Sequence, residues 1–417
     1  MGLRFLLVIG ILVLAEYYSF ILIRSVVRSL PAPWRITALS AYVLLTIVSW
    51  SGLLLFRVIN WAEVPHALRN IYIAFVVGFI VGKILVLLVM LVDDLRRLFT
   101  WLIGLLAYGN KAAEGNDVGR NIERSVFLKQ TALVLGGLSL AGFFYGLSNR
   151  YNYRVRKIKL KFASVPAAFK GLRIVQISDI HTGSFDNHGA VAHGIQRVLD
   201  QNADMILFTG DLVNNHADEV DARYQEIFSR LKAPMGVYST LGNHDYGDYV
   251  SWPSEQAKID NLNKLKGIHA SMGWKLMMNE HIVFERGGDK IALIGIENWG
   301  NKGNFPKYGD MKKAYAGLPE KNVPFKILMS HDPSHWDGQV RPYYPDVQLT
   351  LSGHTHGMQF GVDSKWLKWS PIKYMYRQWA GVYEEGEQKL YVNRGFGFLG
   401  YPGRIGILPE ITVLEFV

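Results

Sequence analysis

Cysteine is missing from this sequence of 417 residues. Its absence excludes disulfide bonds and thiolate-ligated metal sites, so any metal centre has to use carboxylate, amide or imidazole ligands. It leaves the cellular compartment open, because a protein without cysteine tolerates oxidising and reducing surroundings equally. Charge is also scarce, at 19% of residues, and it is unevenly distributed along the chain.

Charged residues are almost absent from four long apolar stretches in the first part of the chain. Each stretch is close to the ~20 residues that a helix needs to cross ~30 Å of hydrocarbon. Buried core helices are usually shorter and amphipathic, and a cleaved signal peptide would not occur four times. We therefore predict a transmembrane region over residues 1–150 and a separate domain over residues 151–417. The predicted spans cover residues 3–23, 36–56, 71–92 and 128–147.

Two charged residues, Glu16 and Lys83, interrupt the first and third predicted spans. A charge inside the bilayer is costly and is usually paired or functional. One interpretation is that each side chain snorkels to the interface or loses its charge. The other interpretation is that Glu16 and Lys83 form an ion pair that holds the first and third spans together.

The net charge of +10 is of the kind found in nucleic-acid-binding proteins. Much of this charge, however, flanks the predicted spans, as in the run NRYNYRVRKIKLKF from Asn149. Lysine and arginine beside a span are attracted to anionic lipid headgroups by ~1 kcal/mol each. The bilayer therefore accounts for the basic charge, and we do not expect nucleic acid as a partner.

The loops between the predicted spans differ in their basic content. Three arginines lie between residues 24 and 35, two between 57 and 69, and six lysines or arginines between 96 and 129. Because short basic loops face the cytoplasm, the first and third loops are predicted to be cytoplasmic. An even number of spans then places the second domain outside the cytoplasm. We expect an integral, multi-pass membrane protein with an extracytoplasmic domain.

Five short apolar runs after residue 150 are predicted to be buried strands, and helical patterns follow several of them. Strands that alternate with helices indicate a layered α/β domain, in which ligands bind beyond the carboxyl ends of the strands. Every one of the five runs ends in a polar cluster. The runs are LRIVQISDIH from Leu172, DMILFTGDL from Asp204, GVYSTLGNHD from Gly236, FKILMSHDP from Phe325 and VQLTLSGHTHG from Val347.

The side chains in these clusters are of the types that bind divalent transition metals. An extended chain would direct both members of pairs such as Asp179/His181 and His354/His356 to the same side. Seven ligands exceed the needs of one ion and suit two ions about 3.5–4 Å apart, bridged by a shared carboxylate. Unrelated surface polar residues explain any single motif equally well, but five consistent strand ends favour a metal site. The predicted ligands are Asp179, His181, Asp211, Asn243, His331, His354 and His356.

The order D-x-H, G-D, G-N-H-D, H and G-H-x-H resembles that of the calcineurin-like metallophosphoesterase superfamily, over about residues 172–417. The segments YVNRGFG and GRIGILPEI are similar to those of its membrane-associated bacterial branch, which includes calcineurin-like UDP-2,3-diacylglucosamine pyrophosphatases. The resemblance implies a two-sheet β-sandwich flanked by helices. It also implies hydrolysis of phosphoric esters at a bacterial cytoplasmic membrane with two divalent ions. Among Mn, Fe, Zn and Mg we favour Mn.

The same resemblance implies a role for each residue of the motifs. Asp179, His181, Asp211 and His356 would hold the first ion, and Asp211, Asn243, His331 and His354 the second. His244 would face the substrate phosphate as a proton donor or charge stabiliser, with Asp245 orienting it. Outside the motifs, Arg394 is a further candidate for binding the phosphate, although an exposed arginine is usually a solvated charge.

These inferences predict a membrane-anchored two-metal phosphoesterase that cleaves a phosphate ester or pyrophosphate bond at the bilayer surface. The anchor would concentrate the site near a phosphorylated or nucleotide-linked lipid. The alternatives are a nuclease or cyclic-nucleotide phosphodiesterase with the same metal core, and a non-catalytic membrane scaffold with this fold. The apolar, glycine-rich stretch FGFLGYPGRIGILP from Phe396 either dips into lipid or packs against the domain.

Overall fold

Four long helices make up the N-terminal part of the chain, and each covers one of the predicted spans. The computed structural model describes residues 2–55, 59, 64–108, 124–303 and 305–417. All four helices are long and apolar enough to cross a membrane, which confirms the predicted transmembrane region. Phe56, the end of the second predicted span, lies outside the described residues, as do the loop residues Arg57, Lys111 and Arg120. The helices are α1 (Leu3–Val26), α2 (Ala32–Leu55), α3 (His66–Tyr108) and α4 (Val126–Ser148).

Helix α3 is longer than its predicted span. Its 43 residues correspond to about 65 Å, roughly twice the hydrocarbon thickness. The prediction ended the span at Val92 because charges follow it. In the structure the acids pair with bases one turn later, Asp93 with Arg96 at 3.0 Å and Asp94 with Arg97 at 3.1 Å. Such pairs stabilise a helix, so α3 continues through the charged turn.

Glu16 and Lys83 form the ion pair that the sequence suggested. Lys83 Nζ on α3 lies 2.5 Å from Glu16 Oε2 on α1. Glu16 also accepts hydrogen bonds from two side chains of α2, the Tyr42 hydroxyl at 2.6 Å and the Trp50 indole at 3.3 Å. The carboxylate therefore joins three helices, and hydrogen bonds from aromatic side chains offset the cost of keeping it among apolar groups.

The chain divides into two units, Met1–Leu147 and Ser148–Val417. In the second unit, buried apolar runs form strands and amphipathic runs form the helices between them. The helices of this unit are α5 (His188–Leu199), α6 (Ala222–Ser229), α7 (Glu255–Ser271), α8 (Met311–Tyr315) and α9 (Arg341–Tyr343). The strands are β1 (Arg154–Leu160), β2 (Arg173–Ile177), β3 (Met205–Phe208), β4 (Val237–Ser239), β5 (Lys275–Leu276), β6 (Glu280–Arg286), β7 (Asp289–Gly295), β8 (Phe325–Met329), β9 (Leu349–Ser352), β10 (Val362–Asp363), β11 (Lys368–Trp369), β12 (Gly381–Glu385), β13 (Gln388–Val392) and β14 (Glu410–Phe416).

Twelve of the strands form two sheets of six. The first sheet has the order β1-β14-β2-β3-β4-β5, and the second has the order β12-β13-β9-β8-β7-β6. Strands β2 to β5 run parallel, and so do β7, β8, β9 and β13. The two-residue strands β10 and β11 make a separate antiparallel hairpin. Parallel strands bring their carboxyl ends to one edge of a sheet, which is where the predicted ligands follow the strands.

Alternate residues of each central strand face two different cores. Ile174 and Leu207 of the first sheet share a buried cluster with Leu351 of the second sheet. Their neighbours Val175 and Ile206 face the other way, into a cluster that includes residues of α5, α6 and α7. Because side chains alternate along a strand, one sheet builds both layers. This arrangement confirms the predicted two-sheet sandwich flanked by helices.

The glycine-rich stretch from Phe396 packs inside the second unit. Phe396 and Phe398 are buried, and the Phe396 ring stacks on Tyr153 with 4.3 Å between ring centroids. Ile407, near the end of the stretch, is also fully buried. Of the two interpretations left open by the sequence, the structure therefore selects internal packing over contact with lipid.

Replacing Glu16 by glutamine is expected to destabilise the helix bundle. The change leaves the Lys83 ammonium without its charged partner, at a cost of about 3 kcal/mol. Thermal unfolding of the full chain in detergent measures the effect. The double variant Glu16→Gln/Lys83→Met removes both charges and should regain part of the loss. Unchanged stability of the single variant would show that the pair does not hold the helices together.

Candidate metal centre

The predicted ligands lie in the loops that directly follow β2, β3, β4, β8 and β9. Their backbone differs from the extended chain that the sequence suggested, because five of the seven have a left-handed conformation. Such residues cost about 1–3 kcal/mol each when they are not glycine and persist only where surrounding contacts impose them. The five are Asp179 (φ 53°), His181 (φ 50°), Asp211 (φ 62°), His354 (φ 70°) and His356 (φ 50°).

Close backbone approach explains two of the glycines beside the ligands. A side chain at Gly242 would overlap the Asp211 carboxylate, and one at Gly353 would overlap the Asp179 carboxylate. Neither glycine has a positive φ, so the requirement is for space and not for backbone freedom. These positions let the loops of different strands meet at the carboxylates.

The first cluster of ligands contains Asp179, His181 and His356. One ligand atom from each lies within 4.8 Å of the others, and all three residues are buried. His356 Nε2 is 3.3 Å from Asp179 Oδ1 and 3.0 Å from His181 Nε2. Residues from the two loops that follow β2 and β9 thus converge on one point.

The second cluster contains Asp211, His331 and His354, again with ligand atoms within 4.8 Å of one another. His331 Nε2 lies 3.1 Å from Asp211 Oδ2. Asn243 belongs beside this cluster, since its Oδ1 is 2.8 Å from His354 Nδ1. The same oxygen of Asp211 is 3.5 Å from His181 Nε2 of the first cluster. Asp211 is therefore the carboxylate that joins the two clusters.

Hydrogen bonds fix the imidazole rings in orientations that suit metal binding. His331 donates from Nδ1 to the carbonyl of Thr209 at 2.7 Å, and His181 Nδ1 lies 3.1 Å from Asn214 Oδ1. Both contacts direct Nε2 of the ring towards Asp211. A carbonyl or amide partner on the far nitrogen is typical of metal-ligating histidines.

Burial controls the protonation of these rings. Desolvation lowers the pKa of His181 to about 3, so that ring is neutral and its lone pair is available to a metal. Burial acts in the same direction on His331, but the adjacent Asp211 carboxylate outweighs it and raises the pKa of His331 to about 10. A cation at His331 Nε2 therefore competes with a proton for the same position.

His244 lies beside the first cluster and is less buried than the ligands Asp179, His181 and His356. Its ring is half-buried and makes an edge contact with His181, with 5.0 Å between the ring centroids. The ring donates from Nδ1 to the backbone carbonyl of Asn214 at 2.8 Å. The His244 backbone N–H donates to Asp211 Oδ1 at 2.9 Å. One residue thus combines a bond to the joining carboxylate with a ring that retains solvent access.

The sequence predicts that Asp245 orients the His244 ring, but in the structure the Asp245 carboxylate binds backbone N–H groups. Its buried carboxylate accepts four backbone hydrogen bonds, and the ring of His244 is oriented by the Asn214 carbonyl instead. The four donors come from the loops that follow β3 and β4. They are the N–H groups of Asp211 at 2.9 Å, Leu212 at 2.8 Å, Val213 at 3.2 Å and Gly242 at 2.8 Å. Asp245 holds the two loops together.

Arg394 does not have the exposed position that a phosphate-binding arginine would need. The residue is 3% exposed, and its guanidinium is bound by two carboxylates, Glu410 at 2.6 Å and Asp363 at 3.1 Å. Both interpretations of the sequence, a phosphate contact and a solvated charge, are therefore corrected. A buried arginine needs acidic partners to compensate the cost of its desolvation. Because Glu410 and Asp363 are not neighbours of residue 394 in the sequence, local sequence does not reveal this pairing.

Sequence reasoning missed three residues beside the ligands. The Tyr376 hydroxyl lies 2.9 Å from His354 Nε2, and Asp332 Oδ2 is 3.7 Å from the same nitrogen. Arg404 is fully buried, and its Nη2 is 3.3 Å from His356 Nδ1. Asp332 follows a predicted ligand directly and could have been noticed. Tyr376 and Arg404 are brought to the site by tertiary folding alone.

The donor set fits divalent transition metals. Carboxylate oxygen, amide oxygen and neutral imidazole suit Mn, Fe, Zn and related ions, and cysteine is absent. Ions held by ligands from these five loops would supply Lewis acidity that polarises a phosphoryl oxygen of a substrate. Fold and site together therefore define a metal-binding α/β domain that follows four helices able to cross a membrane.

Comparison with known families agrees with the site. Residues 172–358 match the sequence model of the family Calcineurin-like phosphoesterase. Residues 3–150 match that of the family Probable Calcineurin-like phosphoesterase, transmembrane domain. The first match includes all seven predicted ligands and His244, and the two together cover most of the chain. The chain thus has a calcineurin-like phosphoesterase domain, preceded by a domain that matches the transmembrane domain of such proteins.

Individual relatives include animal and bacterial proteins. A Danio rerio transmembrane protein with metallophosphoesterase domain is 30% identical, over 64% of this chain and 58% of that protein. The uncharacterized metallophosphoesterase YkuE of Bacillus subtilis is 28% identical, over 70% of this chain and 97% of that protein. The UDP-2,3-diacylglucosamine pyrophosphatase LpxG of Chlamydia trachomatis is 26% identical, over 58% of this chain and 83% of that protein. The matched region thus spans little more than half of the Danio rerio protein.

Replacing Asp245 by asparagine is expected to destabilise the second unit. The amide has one acceptor oxygen where the carboxylate has two, so at least one buried N–H loses its partner at about 1–3 kcal/mol. Thermal unfolding of the full chain measures this loss. His244→Asn is the control, because that half-buried ring makes one hydrogen bond and its loss should change stability little. Wild-type stability of Asp245→Asn would show that this carboxylate does not hold the two loops together.

Proposed function

We propose that this protein is a two-metal phosphoesterase that hydrolyses a phosphate ester or pyrophosphate bond of a lipid-linked or nucleotide-linked substrate at the bilayer surface. The observation that carries the proposal is the position of Asp211, whose Oδ2 atom is 3.5 Å from His181 Nε2 and 3.1 Å from His331 Nε2. A single carboxylate oxygen between two ligand clusters is the arrangement that a pair of bridged ions requires.

The two clusters supply a ligand set for each ion. Asn243 adds an amide oxygen to the second set, beside His354. We favour Mn among the ions that such ligands bind, and Fe, Zn and Mg are the other candidates. The proposed sets are Asp179, His181, Asp211 and His356 for the first ion and Asp211, Asn243, His331 and His354 for the second.

His244 is the proposed group for the substrate phosphate. When bound, a pair of divalent ions supplies Lewis acidity and a nucleophilic water near neutral pH. The His244 ring donates from Nδ1 to the Asn214 carbonyl, which leaves Nε2 available to a substrate. In the protonated ring this nitrogen donates to a phosphate oxygen and compensates the negative charge that develops there. Asp245 contributes by holding the loop that carries His244.

The membrane anchor and one relative support a lipid-linked substrate. Four helices hold the chain in a bilayer, and a tethered site meets membrane-bound substrates at a high effective concentration. The Chlamydia trachomatis relative is a UDP-2,3-diacylglucosamine pyrophosphatase, and that substrate is a diacylated sugar nucleotide with a pyrophosphate bond. A scaffold without catalysis would not need nine motif residues in position, and we therefore rank it lower.

The proposal includes an extracytoplasmic position for the second unit, from the basic loops between the spans. Since the chain has no cysteine, the variant Glu387→Cys has a single thiol, at the exposed turn between β12 and β13. A membrane-impermeant maleimide added to intact spheroplasts is expected to label it. Labelling that requires permeabilised membranes would place the unit in the cytoplasm and exclude extracytoplasmic substrates.

Two variants separate metal binding from chemistry. We expect Asp211→Asn to lose both ions, because both sets share that carboxylate, and His244→Asn to keep both ions but to lose about 10²-fold or more in turnover. Elemental analysis gives the ions per chain, and hydrolysis of bis-p-nitrophenyl phosphate with Mn²⁺ gives the rate. Addition of a chelator to the wild-type protein should abolish hydrolysis.

Each half of this experiment can fail separately. Two ions retained by Asp211→Asn would contradict the bridging position of that carboxylate. A near-normal rate for His244→Asn would remove this residue from the mechanism. Hydrolysis that is insensitive to chelator would refute a metal-dependent reaction altogether.

A further inference from the structure

Exposed apolar side chains of the second unit are concentrated in one segment, residues 358–377. Among its described residues this unit has eleven large apolar side chains that are exposed, and six of them lie in this segment. Isolated exposed apolar residues are ordinary, but a concentration of them marks a binding surface. The six are Met358 (52% exposed), Val362 (41%), Trp366 (95%), Leu367 (55%), Tyr374 (75%) and Met375 (61%).

The hairpin β10–β11 holds two of these side chains at its tip in a defined conformation. Ser364 begins the turn, and its Oγ accepts hydrogen bonds from the backbone N–H groups of Trp366 at 3.3 Å and Leu367 at 3.0 Å. At the base of the hairpin, Asp363 forms ion pairs with Arg156 and with Arg394. Trp366 and Leu367 are therefore exposed on a braced turn, and the buried Arg394 has a structural purpose at its base.

The charges of the segment point to an anionic surface. Residues 358–377 contain four basic residues and a single acid, Asp363, which is already paired. Lys365 lies next to Trp366 at the tip, and Lys373 is beside Tyr374, with its Nζ 5.2 Å from the centre of that ring. Lysine is depleted in protein–protein interfaces. Tryptophan and tyrosine interleaved with lysine are instead typical of the membrane–water interface, where anionic headgroups attract the bases.

The second unit is joined to the last membrane-spanning helix by a short connection. Strand β1 begins at Arg154, shortly after helix α4 ends at Ser148. The segment is also connected directly to the metal centre at both of its ends. It starts two residues after the ligand His356, and just before its last residue the Tyr376 hydroxyl contacts His354 at 2.9 Å.

We propose that residues 358–377 form an interfacial docking surface, which places Trp366 and Leu367 among the headgroups of an anionic bilayer. Docking brings the ligand loops that flank the segment to the lipid surface. The docking does not depend on the reaction that the site carries out. A role of docking in supplying lipid-linked substrates does rest on the proposed function. Docking and substrate supply are therefore tested by separate measurements.

Quenching by lipid tests the docking. The cysteine-free chain allows a single thiol at position 366, in Trp366→Cys, and a matched one at Glu387→Cys on the polar β12–β13 turn. Each is labelled with an environment-sensitive fluorophore in the full chain, reconstituted in nanodiscs of phosphatidylcholine and phosphatidylglycerol. Brominated acyl chains are expected to quench the label at 366 and to leave the label at 387 unchanged. Absence of quenching at 366, or equal quenching at both positions, would overturn the proposal.

Lipid composition and a second variant test the chemistry of the surface. Nanodiscs of phosphatidylcholine alone should quench the label at 366 less, as should the variant Lys365→Ser/Lys373→Ser in the mixed lipids. If neither the change of lipid nor the lysine variant reduces quenching, recognition of anionic headgroups is contradicted. If the label at 366 is shielded only on dimerisation, as cross-linking would show, the surface binds a second copy of the chain and not the bilayer.

Kinetics separate substrate supply from docking. Trp366→Ser/Leu367→Ser should lower kcat/KM for hexadecyl p-nitrophenyl phosphate presented in the nanodiscs. The rate with bis-p-nitrophenyl phosphate in water should be unchanged, since neither residue contacts a metal ligand. Equal losses on both substrates would refute a role in supplying lipid substrates, and an inactive wild-type protein that still shows quenching would refute only the proposed function.

Discussion

The carboxylate of Asp211 is the point on which the functional site depends. One of its oxygens faces His181 and His331, and the other accepts the backbone N–H of His244. Its own backbone N–H is held by Asp245. Through these four contacts a single residue sets the spacing of the two ligand clusters and the position of the half-buried imidazole. Any change in its loop would therefore alter both clusters at once.

Backbone strain in the ligand loops is part of this arrangement. Left-handed residues other than glycine are unfavourable, and here they occur at five ligand positions. Buried hydrogen bonds supply the compensation, as where Asp179 accepts from the backbone N–H of His354 at 2.9 Å. The sandwich core provides the rigid strands from which these loops extend. The stable core thus holds the candidate ligands in fixed positions.

In both units, a buried charge is stabilised by oppositely charged or hydrogen-bonding side chains that surround it. In the membrane unit, Glu16 is compensated by Lys83 and by hydroxyl and indole donors of α2. In the second unit, Arg394 is compensated by Glu410 and Asp363. In both places one charge connects elements that are distant in sequence, because burial is tolerable only when partners converge on it. The second of these clusters also supports the hairpin whose exposed tip is inferred to contact lipid.

Much of the architecture could be predicted from local patterns. The four spans are evident from the length of their apolar runs, and the central strands from short runs bounded by glycine and polar residues. The clustering of the candidate ligands was predictable because each strand end carries side chains of one chemical type. The end of α3 was not predictable in this way. Charged residues follow Val92, but they form ion pairs within the helix, so the helix continues through them. The length of an element depends on such side-chain pairs as well as on hydropathy.

Amino-acid order alone determined which elements form, which side chains are candidate ligands and that no thiolate takes part. Only the tertiary structure decided that Asp245 binds backbone amides, that Arg394 is buried among acids and that Tyr376 and Arg404 reach the ligands. It also decided that Phe396 packs internally while Trp366 is exposed. The reason is that burial and hydrogen-bond partners arise between residues far apart in the chain, so they have no signature in local composition or periodicity.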